Sequence, residues 1–472
     1  MKVMTNILSD GLLAASLLLA FHSAHWFVAK KIGLPRMPVI VISPIFLLVG
    51  FLLHLPLSPF YLPSDGVWYQ EWGFRLGERW SSGDSSVVPG ALEDPLWPGK
   101  GFWPSIIALF YSVVGPVTMT LIVFNTIVLG GVTLAIQKAS LLISGVRFRW
   151  GVVAGITSSL PFLIFGPSLL REAIFWLGLS LCALALSFLL HSKIIPASSS
   201  LIMGVLVVMA VRPDAGLIFS YAFVIVFIFF LFVFNRNRKN QAIAVGGILF
   251  ISFLALSFPA AVKAVSPRLD TRTFEIIHDK LSNVAVTTGF GNQQVQDNPE
   301  SDGASESSCA ENLYILSLCS AVTNLPYVLF GPFIWEYGGE SIWFIAGLAT
   351  LHFIAITALA LLYSLSRESS KWFAFGIFSI AAASILLFSA TLSNYGILIR
   401  MRAGTEIILL PLALSAIPVI LKSANAARSA RKLSLASLRR LMGRIKRERH
   451  EGSHSDRGSK EDSGSTWQKI KP

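Results

Sequence analysis

Apolar residues run along this chain in long blocks rather than in alternation. Stretches with few charges recur at 7–28, 38–59, 116–137, 151–170, 172–190, 199–212, 215–234, 241–262, 342–363, 373–392 and 404–421. Most are about 20 residues long, the length that crosses a bilayer as a helix. The pattern predicts an all-α, polytopic integral membrane protein with about 11 transmembrane helices. The span at 199–212 is short. A further apolar stretch, 312–334, reads as an interfacial or re-entrant segment. Two interruptions, about 61–115 and 263–341, are too long for simple turns. Within the first, WPSIIALFYSV (103–113) reads as a helix lying in the membrane interface. Within the second, the Ser/Asn/Gln-rich stretch 291–308 carries no predicted structure. Residues 1–421 thus form the membrane domain and 422–472 a polar tail. The first apolar stretch is too long for a signal peptide, and Asp10 interrupts its start, so no cleavable leader is expected.

Composition supports this reading. Of 472 residues, 54% are hydrophobic and 14% charged, with a mean hydropathy of +0.66. A soluble surface needs about 25% charged residues. Disorder needs low hydrophobicity. The net charge of +12 would suggest nucleic acid in a soluble protein, but here its placement follows a topology. Lys30, Lys31 and Arg36, then Lys138, Arg147 and Arg149, then Lys193, then Arg236, Arg238 and Lys239, then Arg367 and Lys371 occupy every second loop. Those loops are expected in the cytoplasm. The parity closes with the N-terminus outside, the C-terminus inside and an odd number of spans. A twelfth span at 312–334 would break it. Residues 422–472 hold fourteen Lys or Arg against five Asp or Glu, nine of the twelve net charges. The basic stretch 428–449 reads as a tether to anionic lipid headgroups. No nucleic-acid partner is expected.

Three arginine motifs fall at the opposite, outer ends of spans: Arg171-Glu172, Arg212-Pro213-Asp214 and Arg400-Met401-Arg402. Arginine is disfavoured on that face, and ionisable groups at membrane depth usually serve a site or a pathway. Guanidinium matches phosphate oxygens bidentately, so a phosphate or pyrophosphate ligand fits. The first outer loop supplies carboxylates. Asp65 is the first charge after the second span and can act as a general base. Glu71 follows six residues later as a candidate for substrate binding. Lys100, the only lysine of that loop, could bind a phosphate as a point charge. Trp68, Tyr69, Trp72, Trp80, Trp97, Phe102 and Trp103 suit an interfacial aromatic belt.

In combination, PSDGVWY around Asp65, the returning PGKGFWPSIIALFYSVVG, and LLREA, VRPDAGL and NYGILIRMRAG resemble the GT-C class of polytopic membrane glycosyltransferases. The nearest relatives would be the protein O-mannosyltransferase-like and aminoarabinose-transferase-like bacterial enzymes. The resemblance covers roughly residues 38–220 and 390–421. The paired acids frequent in that class are absent, because Gly66 follows Asp65. The chain also begins with an extra span. The resemblance implies a polyprenyl-phosphate-linked sugar as donor. It implies a glycan, lipid or protein acceptor and transfer on the outer face of a bacterial plasma membrane. On that reading Asp65 is the base and Arg400 and Arg402 hold the carrier phosphate, with Lys100 as helper. Arg171 and Arg212 are second-site cations or structural ties to Glu172 and Asp214. Arg400 and Arg402 would reach one phosphate together only outside a helix, since positions two apart do not share a face.

Two other readings fit the pattern. One is an O-antigen-polymerase-like or ligase-like enzyme acting on polyprenyl-pyrophosphate glycans, which the long loop 263–341 suits. The other is a lipid or polysaccharide transporter or flippase. No cofactor is demanded by any motif, and a divalent metal that helps the phosphate leave stays open. His22 and His25 lack a third ligand and read as packing residues. His278 with Asp270, Glu275 and Asp279 is a weak metal candidate. Cys182 reads as an apolar filler. An oxidising outer face would permit a Cys309–Cys319 disulfide; the alternative is two free thiols.

Overall fold

The computed structural model describes residues 2–54, 66–82, 102–114, 118–147, 149–234, 325–326, 328–330, 341–366, 371–391 and 395–458. Most of these are helical, with no strand among the described residues. In order they are α1 (Lys2–Lys31), α2 (Met37–His54), α3 (Gly66–Ser81), α4 (Phe102–Val114), α5 (Thr118–Ser144), α6 (Trp150–Thr157) and α7 (Leu160–Phe165). There follow α8 (Glu172–Leu189), α9 (Ile194–Val211), α10 (Pro213–Phe234), α11 (Ser341–Ser366), α12 (Lys371–Thr391) and α13 (Tyr395–Gly458). Eight of the described helices are long and apolar enough to cross a membrane. The protein is therefore a multi-pass membrane protein by the length and apolarity of its helices.

Several boundaries differ from expectation. The stretch 151–170 is not one span but two short helices with Ser158 and Ser159 between them. In a continuous helix the Pro161 ring would clash with the carbonyl of Thr157 and leave it without a donor. The span expected as short at 199–212 is a full-length helix, Ile194–Val211, because Ile194, Ala197 and Leu201 extend its buried face. The helix α12, Lys371–Thr391, falls where the block 373–392 predicts it. The last span and the basic tail belong to one helix, α13. The predicted span 241–262 and nearly all of 312–334 lie outside the described residues.

Glycine and side-chain-to-carbonyl bonds set one end of the bundle. Gly33 and Gly145 adopt φ +71° just after α1 and α5, where a left-handed residue closes a helix. Leu34 N–H donates to the Ala29 carbonyl at 2.8 Å and Gly33 N–H to the Lys30 carbonyl at 3.2 Å. Lys138 Nζ reaches the Ile32 carbonyl at 3.0 Å and Gln137 Nε2 the Pro35 carbonyl at 3.1 Å. Tyr363 O–H donates to the Ile143 carbonyl at 3.1 Å, and a His191 ring nitrogen bonds the Leu142 carbonyl at 2.7 Å. The loops carrying Lys30, Lys31, Arg36, Lys138 and Lys193 are thus collected at a single end.

Small residues let helices close on one another. A Cβ on Gly178 would sit 2.9 Å from the Gly204 carbonyl oxygen, and one on Gly204 would sit 2.7 Å from that of Gly178. The backbones of α8 and α9 touch there, a packing that only small residues permit. His25 packs its ring on Gly130 of α5. Phe230 stacks on Phe373 at 5.4 Å between α10 and α12. Residues 1–416 form one compact unit and 417–472 another. In the second, Leu435, Leu438, Leu441 and Met442 are exposed at one-turn spacing on a helix rich in arginine.

Candidate functional site

The site is built on the loop 166–171 between α7 and α8, at the bundle end opposite the basic loops. The loop's backbone carbonyls would be orphaned in an apolar interior, and distant side chains satisfy them. Asn125 Nδ2 donates to the carbonyls of Ser168 and, at 3.0 Å, Leu170. Fully buried Trp103, on the first turn of α4, donates from Nε1 to the Leu169 carbonyl at 2.8 Å. A His54 ring nitrogen, at the end of α2, bonds the Ile164 carbonyl at 2.9 Å. Gly50 leaves room for Pro167. Helices α2, α4 and α5 therefore hold one loop, and the loop presents Arg171 and Glu172.

Glu172 opens α8, where a carboxylate favours the helix dipole. It is 2% exposed. Arg212, directly after α9, donates from Nη2 to Glu172 Oε1 at 2.6 Å. Arg400, in the second turn of α13, brings Nη1 within 3.6 Å of the same oxygen. Arg171 donates from Nη1 to the Val211 carbonyl at 2.9 Å and lies 5.9 Å from the Tyr69 ring. Aromatic faces cover the other cations: Phe175 is 5.8 Å from Arg212, and Phe165 is 5.3 Å from Arg400. Such contacts favour weakly hydrated guanidinium over ammonium. Glu172 Oε2 is buried with no hydrogen-bond partner among the described residues.

A second buried cluster lies beyond it on α13. Arg402 donates from Nε to the Val328 carbonyl at 2.5 Å and from Nη1 to Thr350 Oγ1 at 2.8 Å. One turn later Glu406 Oε2 accepts from Ser159 Oγ at 2.8 Å and meets His352 Nδ1 at 3.2 Å. Ser159 is the residue at the break between α6 and α7. Thr405 and Ser384 hydroxyls pair at 3.0 Å.

The expected site residues therefore separate into groups. Arg171, Arg212 and Arg400 come together around Glu172. Arg402 does not join them. The chain is already helical from Tyr395, so Arg400 and Arg402 point apart, the former to α8 and the latter to α11. Glu71 pairs with Arg75 at 2.5 Å on an exposed face of α3. Asp65, Lys100, Cys309 and Cys319 lie outside the described residues, and Cys182 is buried as a free thiol. None of His352, Ser159 and Glu406 was among the site residues expected from the sequence. A histidine in an apolar run and Ser-Ser-Leu-Pro inside a predicted span were the available signals. Among the described residues, no three His, Cys, Asp or Glu side chains stand close enough to share a metal ion. Compared with protein-family models, curated proteins and solved structures, the chain matches none.

Proposed function

We propose that the chain is a membrane glycosyltransferase that moves a sugar from a polyprenyl-phosphate-linked donor to a cell-envelope acceptor. On this reading it spans a bacterial plasma membrane about 11 times, with the N-terminus outside and the C-terminus in the cytoplasm. The basic helix of the tail lies against anionic lipid. The observation that carries the reading is the convergence of Arg212 and Arg400 on Glu172, with Arg171 held beside them on the Val211 carbonyl. Three cations, from the start of α8, the end of α9 and the second turn of α13, are gathered at the end opposite the basic loops. The donor's tail must stay in hydrocarbon, so its phosphate lies at the membrane surface. Breaking the sugar–phosphate bond leaves negative charge on that phosphate, and preorganised guanidinium groups stabilise it. Glu172 holds the arginines in place. Arg400, at 17% side-chain exposure the more open member of the pair that meets it, faces the phosphate. Asp65 is the sequence's candidate for the acceptor side.

The test is sugar transfer from labelled polyprenyl-phosphate donors in membranes that carry the wild type, Asp65→Asn or Arg400→Ala. Undiminished transfer in both variants would overturn the site. Transfer only from pyrophosphate donors would instead assign the chain to polymerase-like or ligase-like chemistry.

One observation favours a second reading. The break between α6 and α7 beside buried Glu406 is the kind of interrupted helix that transporters use near their binding sites. Donor-lipid flux in proteoliposomes without any covalent product would support a flippase.

A further inference from the structure

Glu406, His352 and Ser159 form a cluster that binding of the carrier phosphate does not use. Three elements meet there: the break between α6 and α7, α11 and α13. Glu406 is 1% and His352 10% exposed in their side chains, and Ser159 is fully buried. One carboxylate oxygen, Glu406 Oε2, receives both the Ser159 hydroxyl at 2.8 Å and His352 Nδ1 at 3.2 Å. With its Nδ1–H donated to a carboxylate, the imidazole carries its basic lone pair on Nε2. That atom is enclosed and has no hydrogen-bond partner among the described residues, and the same holds for Glu406 Oε1.

A purely structural tie between helices has no need of this arrangement. Buried polar atoms are almost always partnered, and apolar residues of similar volume stabilise as well as a buried ionic pair or better. The cluster instead has the form of a base oriented by a carboxylate: a ring nitrogen left open, the other held, and the carboxylate steadied by a hydroxyl.

We infer that His352, oriented by Glu406 and Ser159, is the proton acceptor for the acceptor's hydroxyl group, in place of Asp65. This inference rests on the glycosyltransferase reading. In the step, the hydroxyl oxygen bonds to the anomeric carbon while its O–H bond breaks, and the proton passes to His352 Nε2. The bond from the anomeric carbon to the phosphate oxygen breaks, and its electron pair leaves on the phosphate, which faces Arg400. The imidazolium formed is stabilised by Glu406 and returns its proton to solvent as the product departs. Glu406 lies six residues from Arg400, about 9 Å along the axis of α13, and α7 runs beside both, with Ser159 at Glu406 and Phe165 over Arg400. Enclosure of Nε2 keeps water from competing as the acceptor. It also requires that the arriving acceptor open the site.

The experiment uses the full-length protein in lipid nanodiscs with labelled polyprenyl-phosphate hexoses and pentoses as donors. Envelope vesicles supply hydroxyl acceptors, and sodium azide serves as a nucleophile with no proton to lose. His352→Ala and His352→Gln are expected to lower transfer to hydroxyls about 10²- to 10⁴-fold, the usual contribution of a general base. Both should form glycosyl azide at the wild-type rate, which also shows that they are folded. Glu406→Gln is expected to lower hydroxyl transfer less and to spare azide. Loss of both products in both His352 variants would assign the residue to structure and overturn the proposal. So would normal hydroxyl transfer in them, or the azide-sparing signature in Asp65→Asn instead. If the wild type transfers no sugar from any donor, the glycosyltransferase reading itself fails and the proposal with it.

Discussion

Arg212 donates to Glu172 across 2.6 Å, with 9% and 2% of the two side chains exposed. The contact joins the residue after α9 to the first residue of α8. These two helices already touch backbone to backbone at Gly178 and Gly204. The ion pair therefore fixes the end of a tightly packed hairpin. It also holds the guanidinium rigid where Arg400 meets it.

Removing Glu172 should damage stability before anything else. Glu172→Gln leaves buried guanidinium groups without their carboxylate, and breaking a buried pair in this way costs about 3–5 kcal/mol. The expected result is a clear fall in the thermal unfolding midpoint of the detergent-solubilised protein. An unchanged midpoint would mean that the pair is far better solvated than its burial implies.

Arg400→Ala should separate binding from folding. Its contact with Glu172 is longer, 3.6 Å, so its loss should cost little stability. A hydrogen bond to a charged group contributes about 1.5–3 kcal/mol, so donor affinity should fall roughly ten- to a hundredfold. Arg400→Lys should recover only part of this, because ammonium cannot form the bidentate contact. Titration of a polyprenyl-phosphate analogue, followed by intrinsic tryptophan fluorescence, measures both.

Gly204→Val tests the close approach of α8 and α9. Even a Cβ there would lie within 3.0 Å of the Gly178 carbonyl oxygen, the Cys182 sulfur and the Cys182 nitrogen. Overpacking of this kind costs about 1–3 kcal/mol. A lower unfolding midpoint and lower yield in membranes are expected, whereas Gly443→Ala, where a Cβ meets nothing within 4 Å, should be neutral.

The orientation is open to direct measurement. With the native cysteines replaced, single cysteines at Ser192 and Arg147 should react with a membrane-impermeant maleimide only after the cells are opened. A cysteine at Glu71, on the exposed face of α3, should react in intact cells. The reverse result would invert the topology and put the arginine site on the cytoplasmic side.

Much of the architecture is legible in the chain. Apolar blocks of about 20 residues are their own signal, because each must satisfy its backbone within one helix. α2, α5, α8 and α10 duly appear where the blocks predict them. Alternation of basic loops predicted which helix ends lie together, and the Lys138–Ile32 and His191–Leu142 contacts gather those ends. Less legible was the break at Ser158–Ser159. Hydropathy registers the apolarity of 151–170 and ignores the single Pro161 that interrupts it.

The sequence by itself determined a helical membrane protein, the placement of its charges and the suspicion that outer arginines form a site. Only the tertiary structure decided which charges meet. Glu172 and Arg212 are forty positions apart, Arg400 is far beyond both, and Ser159, His352 and Glu406 come from three separate elements. Local periodicity carries no information about such contacts, because each residue's pattern reflects only whether its own helix face is apolar. Which faces and ends touch depends on how loops close and small residues pack. That is why Arg400 and Arg402, neighbours in the sequence, end in different clusters, while Arg171, Arg212 and Arg400 end in one.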